Sequence, residues 1–221
     1  MDANSLRNEA ASSLGLFDAA GLVATARPVV INPSGGMKVV SWPKYSGASA
    51  ISRVNRSVVT NYVSAVSSEA YSCMLMDGAL IQIAFGVVEP DVIWHRLCYL
   101  PCPIALRVGA TADLPVVDYI NVLPHERLVD LHRSAGAIRF DYDLREASSK
   151  HPASHLTFNN VRDCRIPVSS PIGAAVFMDF IGRQFYPSLW CRSGKGMKHA
   201  PLKLPDCLDP THKGSMHLVC P

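Results

Sequence analysis

Apolar residues recur along this chain in two rhythms. Near the N-terminus Leu6, Ala10, Leu14, Phe17, Gly21 and Ala24 follow one another at intervals of three and four, which lays one apolar stripe along a helix capped by Asn4 and ended by Pro28. A turn at Asn32-Pro33-Ser34-Gly35-Gly36 leads into a short strand over Met37–Trp42, and a second helix is expected over Ser57–Ala70 with Val58, Tyr62, Ala65 and Val66 inward. The rhythm then changes to alternation. Tyr71–Met76 is followed by Asp77-Gly78, a dipeptide favoured in type I′ hairpins, then by Leu80–Val88, the turn Glu89-Pro90-Asp91 and Val92–Leu100. This reads as an antiparallel meander.

Beyond it Pro101, Pro103 and Pro115 interrupt the pattern, and Pro124–Arg133 is open between a short helix and extended chain. Alternation resumes in AIRFDYDLREASSKHPASHLTFNNVRDCRIPV, residues 137–168, read as two strands around a polar turn. Ile138, Phe140 and Tyr142 share one face of the first strand and Arg139, Asp141 and Asp143 the other; Leu156 and Phe158 oppose His155, Thr157 and Asn159 on the second. Pairing apolar face to apolar face therefore gathers Arg, Asp, Asp, His, Thr and Asn on one surface. A helix follows, with Ser170 as cap, Pro171 in its first turn and Ile172, Val176, Phe177, Phe180 and Ile181 as its buried stripe, stopped by Pro187.

These elements predict an α+β fold: an antiparallel sheet of about five to seven strands, helices from both ends of the chain on its apolar face, the other face partly open. Residues 1–187 are expected to form one domain, a helical lead-in to residue 70 and a motif-bearing core over 71–187, with 188–221 as an irregular basic tail.

Composition narrows the class. At 221 residues and 48% apolar content the chain can bury a core. Its most apolar stretch, Leu14–Ile31, contains Asp18, Arg27 and Pro28, so no membrane span is expected, and Asp2, Arg7 and Glu9 break the pattern of a signal peptide. Seven cysteines, an odd number, read as reduced thiols in a cytoplasm. The formal charge of +3 is small, and the segment after Pro187 carries all of it, with five cations against two carboxylates.

Candidate chemistry concentrates on the polar sheet face, where Gln82, Arg96, Arg139, Asp141, Asp143, His155 and Arg165 fall. An imidazole beside carboxylates can move a proton near neutral pH and a guanidinium can clamp a phosphate, so His151 or His155 would be general acid/base, Asp141 or Asp143 its orienter or a ligand to a divalent ion, and Arg96, Arg139, Arg165 and Gln82 the substrate-binding set. The bland counterpart is the wet face of an edge strand holding ion pairs, with His151 and His155 in structural hydrogen bonds.

Metal chemistry is a further reading. His151 and His155 are four apart, but Pro152 opposes a helix there, and in extended chain they would lie about 13 Å apart. Asp141, Asp143 and His155 would suit Mg²⁺ or Mn²⁺. Cys98 reads as a buried thiol beside a loop thiol, Cys102, rather than as half of a zinc pair; Cys191, His199, Cys207, His212, His217 and Cys220 lack the short Cys-x-x-Cys knuckle of a zinc site, and Gly194-Lys195-Gly196 lacks the rest of a phosphate loop.

MDGALIQIAF at 76–85, HRLCYLPCP at 95–103, IRFDYD at 138–143, HPASHLTFNN at 151–160 and CRIPV at 164–168, with the aromatic helix over 171–186, together resemble a family of uncharacterised bacterial proteins known as a domain of unknown function. The resemblance implies a shared fold and a bacterial or phage-associated origin, and supplies no chemistry. In layout the order of Asp77-Gly78, Arg139–Asp141 and His151 with His155 is also similar to small toxin–antitoxin components, an analogy of arrangement. Two functions follow as expectations: a nucleic-acid-cleaving toxin or phage-defence component, or a non-catalytic antitoxin or adaptor binding a protein from the same operon through the polar sheet face.

Overall fold

A computed structural model describes residues 2–47, 58–104, 118, 136–158, 161, 164–192 and 204–220. Among them the helices are α1 (Ala3–Ala19), α2 (Val58–Ser67), α3 (Ala174–Phe185), α4 (Pro187–Arg192) and α5 (Pro210–Lys213). The strands are β1 (Val23–Ala26), β2 (Val30–Ser34), β3 (Met37–Ser41), β4 (Cys73–Leu75), β5 (Leu80–Val88), β6 (Asp91–Leu100), β7 (Ile138–Asp143), β8 (Ser154–Phe158) and β9 (Ile166–Pro167). The fold is α+β, and the pairings among these nine strands are all antiparallel.

From one edge the order is β9, β8, β7, β6, β5. The far side of β5 is shared: β4 pairs with its start at Leu80 and Ile81, and β3 with Phe85, Gly86 and Val87 further on. Outside these lie β1 on β4 and β2 on β3, so residues 23–34 line one edge as two short strands. Sequence alternation misses both, because β1 and β2 are short and sit half-exposed or exposed, with no buried face to set a period of two. Pro33 is tolerated in β2, whose pairing among the described residues is to β3 alone.

The N-terminal stripe forms a helix that starts and stops earlier than expected. Asp2, not Asn4, is the cap: its carboxylate accepts from the Ser5 N–H at 3.0 Å and from the Ser5 hydroxyl at 2.7 Å. The helix ends at Ala19 because Gly21, at φ +73°, turns the chain back, with its N–H on the Asp18 carbonyl. α3 likewise begins later than predicted, at Ala174 after Gly173, and its cap comes from elsewhere: Glu9 of α1 accepts from the Ala174 N–H at 3.1 Å. The Asp77-Gly78 hairpin forms, but Gly78 alone of the pair has positive φ, so its turn is not type I′; the Asp77 carboxylate accepts from the Ala79 N–H at 3.0 Å.

One face of the sheet carries the main core. Ile81, Ile83 and Phe85 of β5, Leu97 and Tyr99 of β6, Phe140 and Tyr142 of β7 and Leu156 of β8 meet α1 and α3 there, as alternation requires. Phe17 packs on Trp190 with ring centroids 4.9 Å apart, and Phe140 meets Phe177 and Phe180 at 6.2 and 5.6 Å. The opposite face is less open than predicted. Tyr62, Ala65 and Val66 of α2 cover Leu80, Cys98 and Leu100, and Trp42 with Ala70 covers Ala84.

After Pro187, residues 187–192 are helical and 204–220 are mostly without regular structure yet fastened to the sheet. Leu218 makes a parallel bridge to Val168, its N–H donating to Pro167 and its carbonyl accepting from Ser169, each at 2.8 Å. Pro124–Arg133 lies outside the described residues.

Candidate functional site

Strand register builds the charged row. Arg96 of β6 pairs with Asp141 of β7, and Asp141 with His155 of β8. Arg139, two residues before Asp141, shares its face. All point away from α1 and α3, onto the side of the sheet that α2 covers further along.

Asp141 is the centre. Its Oδ1 accepts from Arg96 Nε at 3.0 Å and its Oδ2 lies 2.9 Å from Arg139 Nη2. Burial alone would raise this carboxyl's pKa, but the guanidinium groups of Arg139 and Arg96 outweigh it and hold the group below its ordinary value. The row is a buried ion-pair cluster with Asp141 8% exposed.

His155 completes the row. It is 5% exposed, and its Nδ1 lies 3.0 Å from the Pro152 carbonyl, which can only accept, so Nδ1 carries the proton and Nε2 of the neutral ring does not. Nε2 stands 3.9 Å from Asp141 Oδ2, beyond hydrogen-bond reach. Burial pushes the imidazole down to about 4, with the Asp141 carboxylate opposing, and His151 and then Arg165, just before β9, disfavour protonation further. At neutral pH the ring is uncharged.

His151 comes closer to His155 than an extended chain allows. Residues 148–151 form a tight turn in which Ser148 and His151 exchange backbone hydrogen bonds, and the chain then bends through Pro152 and Ala153 into β8. The two rings meet edge to face at 4.8 Å, and His151 Nδ1 is buried with no hydrogen-bond partner among the described residues. Of the other predicted residues, Asp143 is engaged locally: it caps the 3₁₀ turn Leu144–Glu146 and holds Arg145 through contacts of 2.8 and 2.6 Å. Gln82 is buried under Trp42 and α2, where its amide donates to the Ala70 carbonyl. The structure therefore brings Arg96, Arg139, Asp141, His151, His155 and Arg165 together and leaves Asp143 and Gln82 to other work. Among the described residues no group of three His, Cys, Asp or Glu side chains is placed to hold a metal ion.

A family model matches residues 22–220. The chain belongs to the uncharacterized conserved protein family DUF2290. The match spans every strand and α2 to α5, leaving α1 before its start, although α1 supplies Leu6, Ala10 and Phe17 to the core of this DUF2290 protein. No curated protein and no solved structure matches the chain. No helix among the described residues is long and apolar enough to cross a membrane.

Two polar features lie beyond reach of alternation. His95, on the main core face, accepts from the Ile172 N–H at 3.2 Å and so anchors the entry to α3; burial pushes it down to about 4. Tyr99 donates to Tyr186 at 3.1 Å and Tyr186 to Asp77 at 2.9 Å, tying the end of α3 to the β4–β5 hairpin. Their only sequence signal is a polar atom at a position patterned as core.

Proposed function

We propose that this protein is a non-catalytic component, of the antitoxin or adaptor kind, that works by binding a protein partner. The observation that supports it is the state of Asp141, whose carboxylate is taken up by Arg96 and Arg139 on strands that its own ion pairs hold in register. A catalytic dyad needs a base within hydrogen-bond contact of its orienting acid, and His155 Nε2 stands 3.9 Å from Asp141. A base pushed down to about 4 is also a weak one near pH 7. Arg96 and Arg139, two of the arginines that would clamp a phosphate, are instead occupied by the same carboxylate. In this reading the charged row locks β6, β7 and β8 together, and the partner docks elsewhere on the molecule.

A nucleic-acid-cleaving toxin or phage-defence enzyme is the second reading, and one observation favours it. The Pro152 carbonyl fixes the His155 tautomer with Nε2 bare, the arrangement a general base requires, and the His151 ring lies 4.8 Å away as its acid counterpart. Incubating the purified chain with labelled RNA and DNA, with and without Mg²⁺ or Mn²⁺, separates the two. The binding reading expects no cleavage above that of an equally folded His155→Ala variant, and no growth arrest when the chain is induced in a bacterial host. Cleavage that disappears with His155 transfers the conclusion to the enzyme.

A further inference from the structure

The two edges of the sheet end differently. At β9 the chain closes its own edge, with Leu218 bridging Val168. At the other end β1 pairs with β4 and, among the described residues, with nothing beyond it, and Ala24, Thr25 and Ala26 are exposed. An unpaired edge of uncharged residues is a template for another strand. Here it faces a wall. Ala11, Leu14, Gly15 and Asp18, one face of α1 at intervals of three and four, run beside residues 23–29 and border an open groove of about 500 Å³ between helix and strand. That volume lies within the range of ligand-binding clefts.

Its chemistry selects the occupant. The wall presents Ala11 and Gly15 beside the buried Leu14, and a Cβ added at Gly15 would meet nothing within 4 Å, so the groove is open where a side chain would enter. Arg27, at the far end, is already engaged: it lies 3.0 Å from Glu69 and stacks over the Tyr71 ring at 4.8 Å. Asp18 is exposed and has no ion-pair partner among the described residues. The groove thus offers an apolar slot, free backbone groups along one side and one uncompensated carboxylate.

We propose that this groove binds an extended segment of a protein partner, which adds to the sheet as a strand beside β1, seats small or β-branched side chains against α1 and sets a lysine or arginine on Asp18. Resting on the binding-component reading, this names where the partner docks and what its segment looks like. Main-chain pairing to β1 supplies the register, and alternate side chains of the segment reach the groove.

The probe is a fluorescein-labelled peptide of alternating valine and threonine ending in lysine, titrated by anisotropy against the full chain, with amide hydrogen exchange followed in the same mixtures. Saturable binding with slowed exchange at residues 24–26 is the expected result. Gly15→Leu fills the slot, improves helix propensity and should weaken binding at least about tenfold with the melting temperature kept. Asp18→Lys should reverse the preference toward a glutamate-ended peptide. Absence of binding, equal binding by Gly15→Leu, or equal binding of a peptide with a central proline, which cannot pair, overturns the proposal. So does sedimentation showing a dimer that Gly15→Leu dissociates, since a second copy would then be the occupant. Nucleic-acid cleavage lost in His155→Ala in the same preparations overturns the binding-component reading whatever the peptide does; peptide failure without cleavage overturns the groove alone.

Discussion

The central strands of the sheet are covered on both faces, but by opposite means. Under α1 and α3 it is closed with area: Phe17, Phe140, Phe177 and Trp190 interlock, and any side chain of matching shape would serve. Across the sheet α2 and Trp42 close part of the surface in the same way, and another part is closed by charges that satisfy one another, Arg96 and Arg139 about Asp141. The first kind of burial degrades gradually as volume is removed. The second fails when one member goes, because the partners stay behind as buried charges.

Deleting Phe177, fully buried in α3, should cost the apolar face most: Phe177→Ala is expected to lower stability by about 4 kcal/mol in urea unfolding with an unchanged slope. Asp141→Ala leaves two guanidinium groups facing each other and should cost about 3 kcal/mol, the lower end for a broken buried pair because the Arg96 side chain is 31% exposed. A double-mutant cycle with Arg139→Ala should show strong coupling to Asp141, whereas Phe177→Ala and Asp141→Ala should be close to additive. Additivity at both pairs would dissolve the distinction between the faces.

Acid probes one buried histidine on each face. His95 under α3 and His155 in the charged row are both pushed down to about 4 by burial, whereas an unfolded histidine titrates near 6.5. Between these values the unfolded chain binds protons that the folded chain refuses, so stability is complete above about pH 6.5 and falls as pH drops toward 4, by at most about 3 kcal/mol for each ring. Melting across that window should flatten in His95→Gln and in His155→Gln to comparable extents; a slope untouched by either would show that the rings are not held neutral. The smallest effect belongs to the exposed rim of the charged row. Arg145 is 59% exposed, so Arg145→Ala should change stability by no more than about 1 kcal/mol, and less in high salt.

Much of the sheet was legible because β7 and β8 alternate and because β5 and β6 are long apolar runs bounded by turn residues. The face shared by Arg96, Arg139, Asp141 and His155 follows from period two once the strands pair, and the observed register sets Arg96, Asp141 and His155 directly side by side. The helix limits were less legible. Glu9 caps α3 from 165 residues away, so no local signal at Ala174 could locate its start, and Gly21 ends α1 before Pro28 is reached. β1 and β2 were invisible to a pattern search, since edge strands with exposed side chains carry no amphipathic signature.

By itself the sequence determined the α+β class, the four central strands and which side chains share a face, because these depend on periodicity and turn chemistry within a few residues. It also placed the chain in its family through short phrases whose order can be read directly. Tertiary structure alone decided what the charged residues touch. Whether the Asp141 carboxylate stands apart or between two arginines, whether Gln82 faces solvent or the Ala70 carbonyl, and whether His151 reaches His155 all depend on distances across strands and on burial. A pattern of residue types carries none of these, since a charge's role is set by its dielectric surroundings and its neighbours in space.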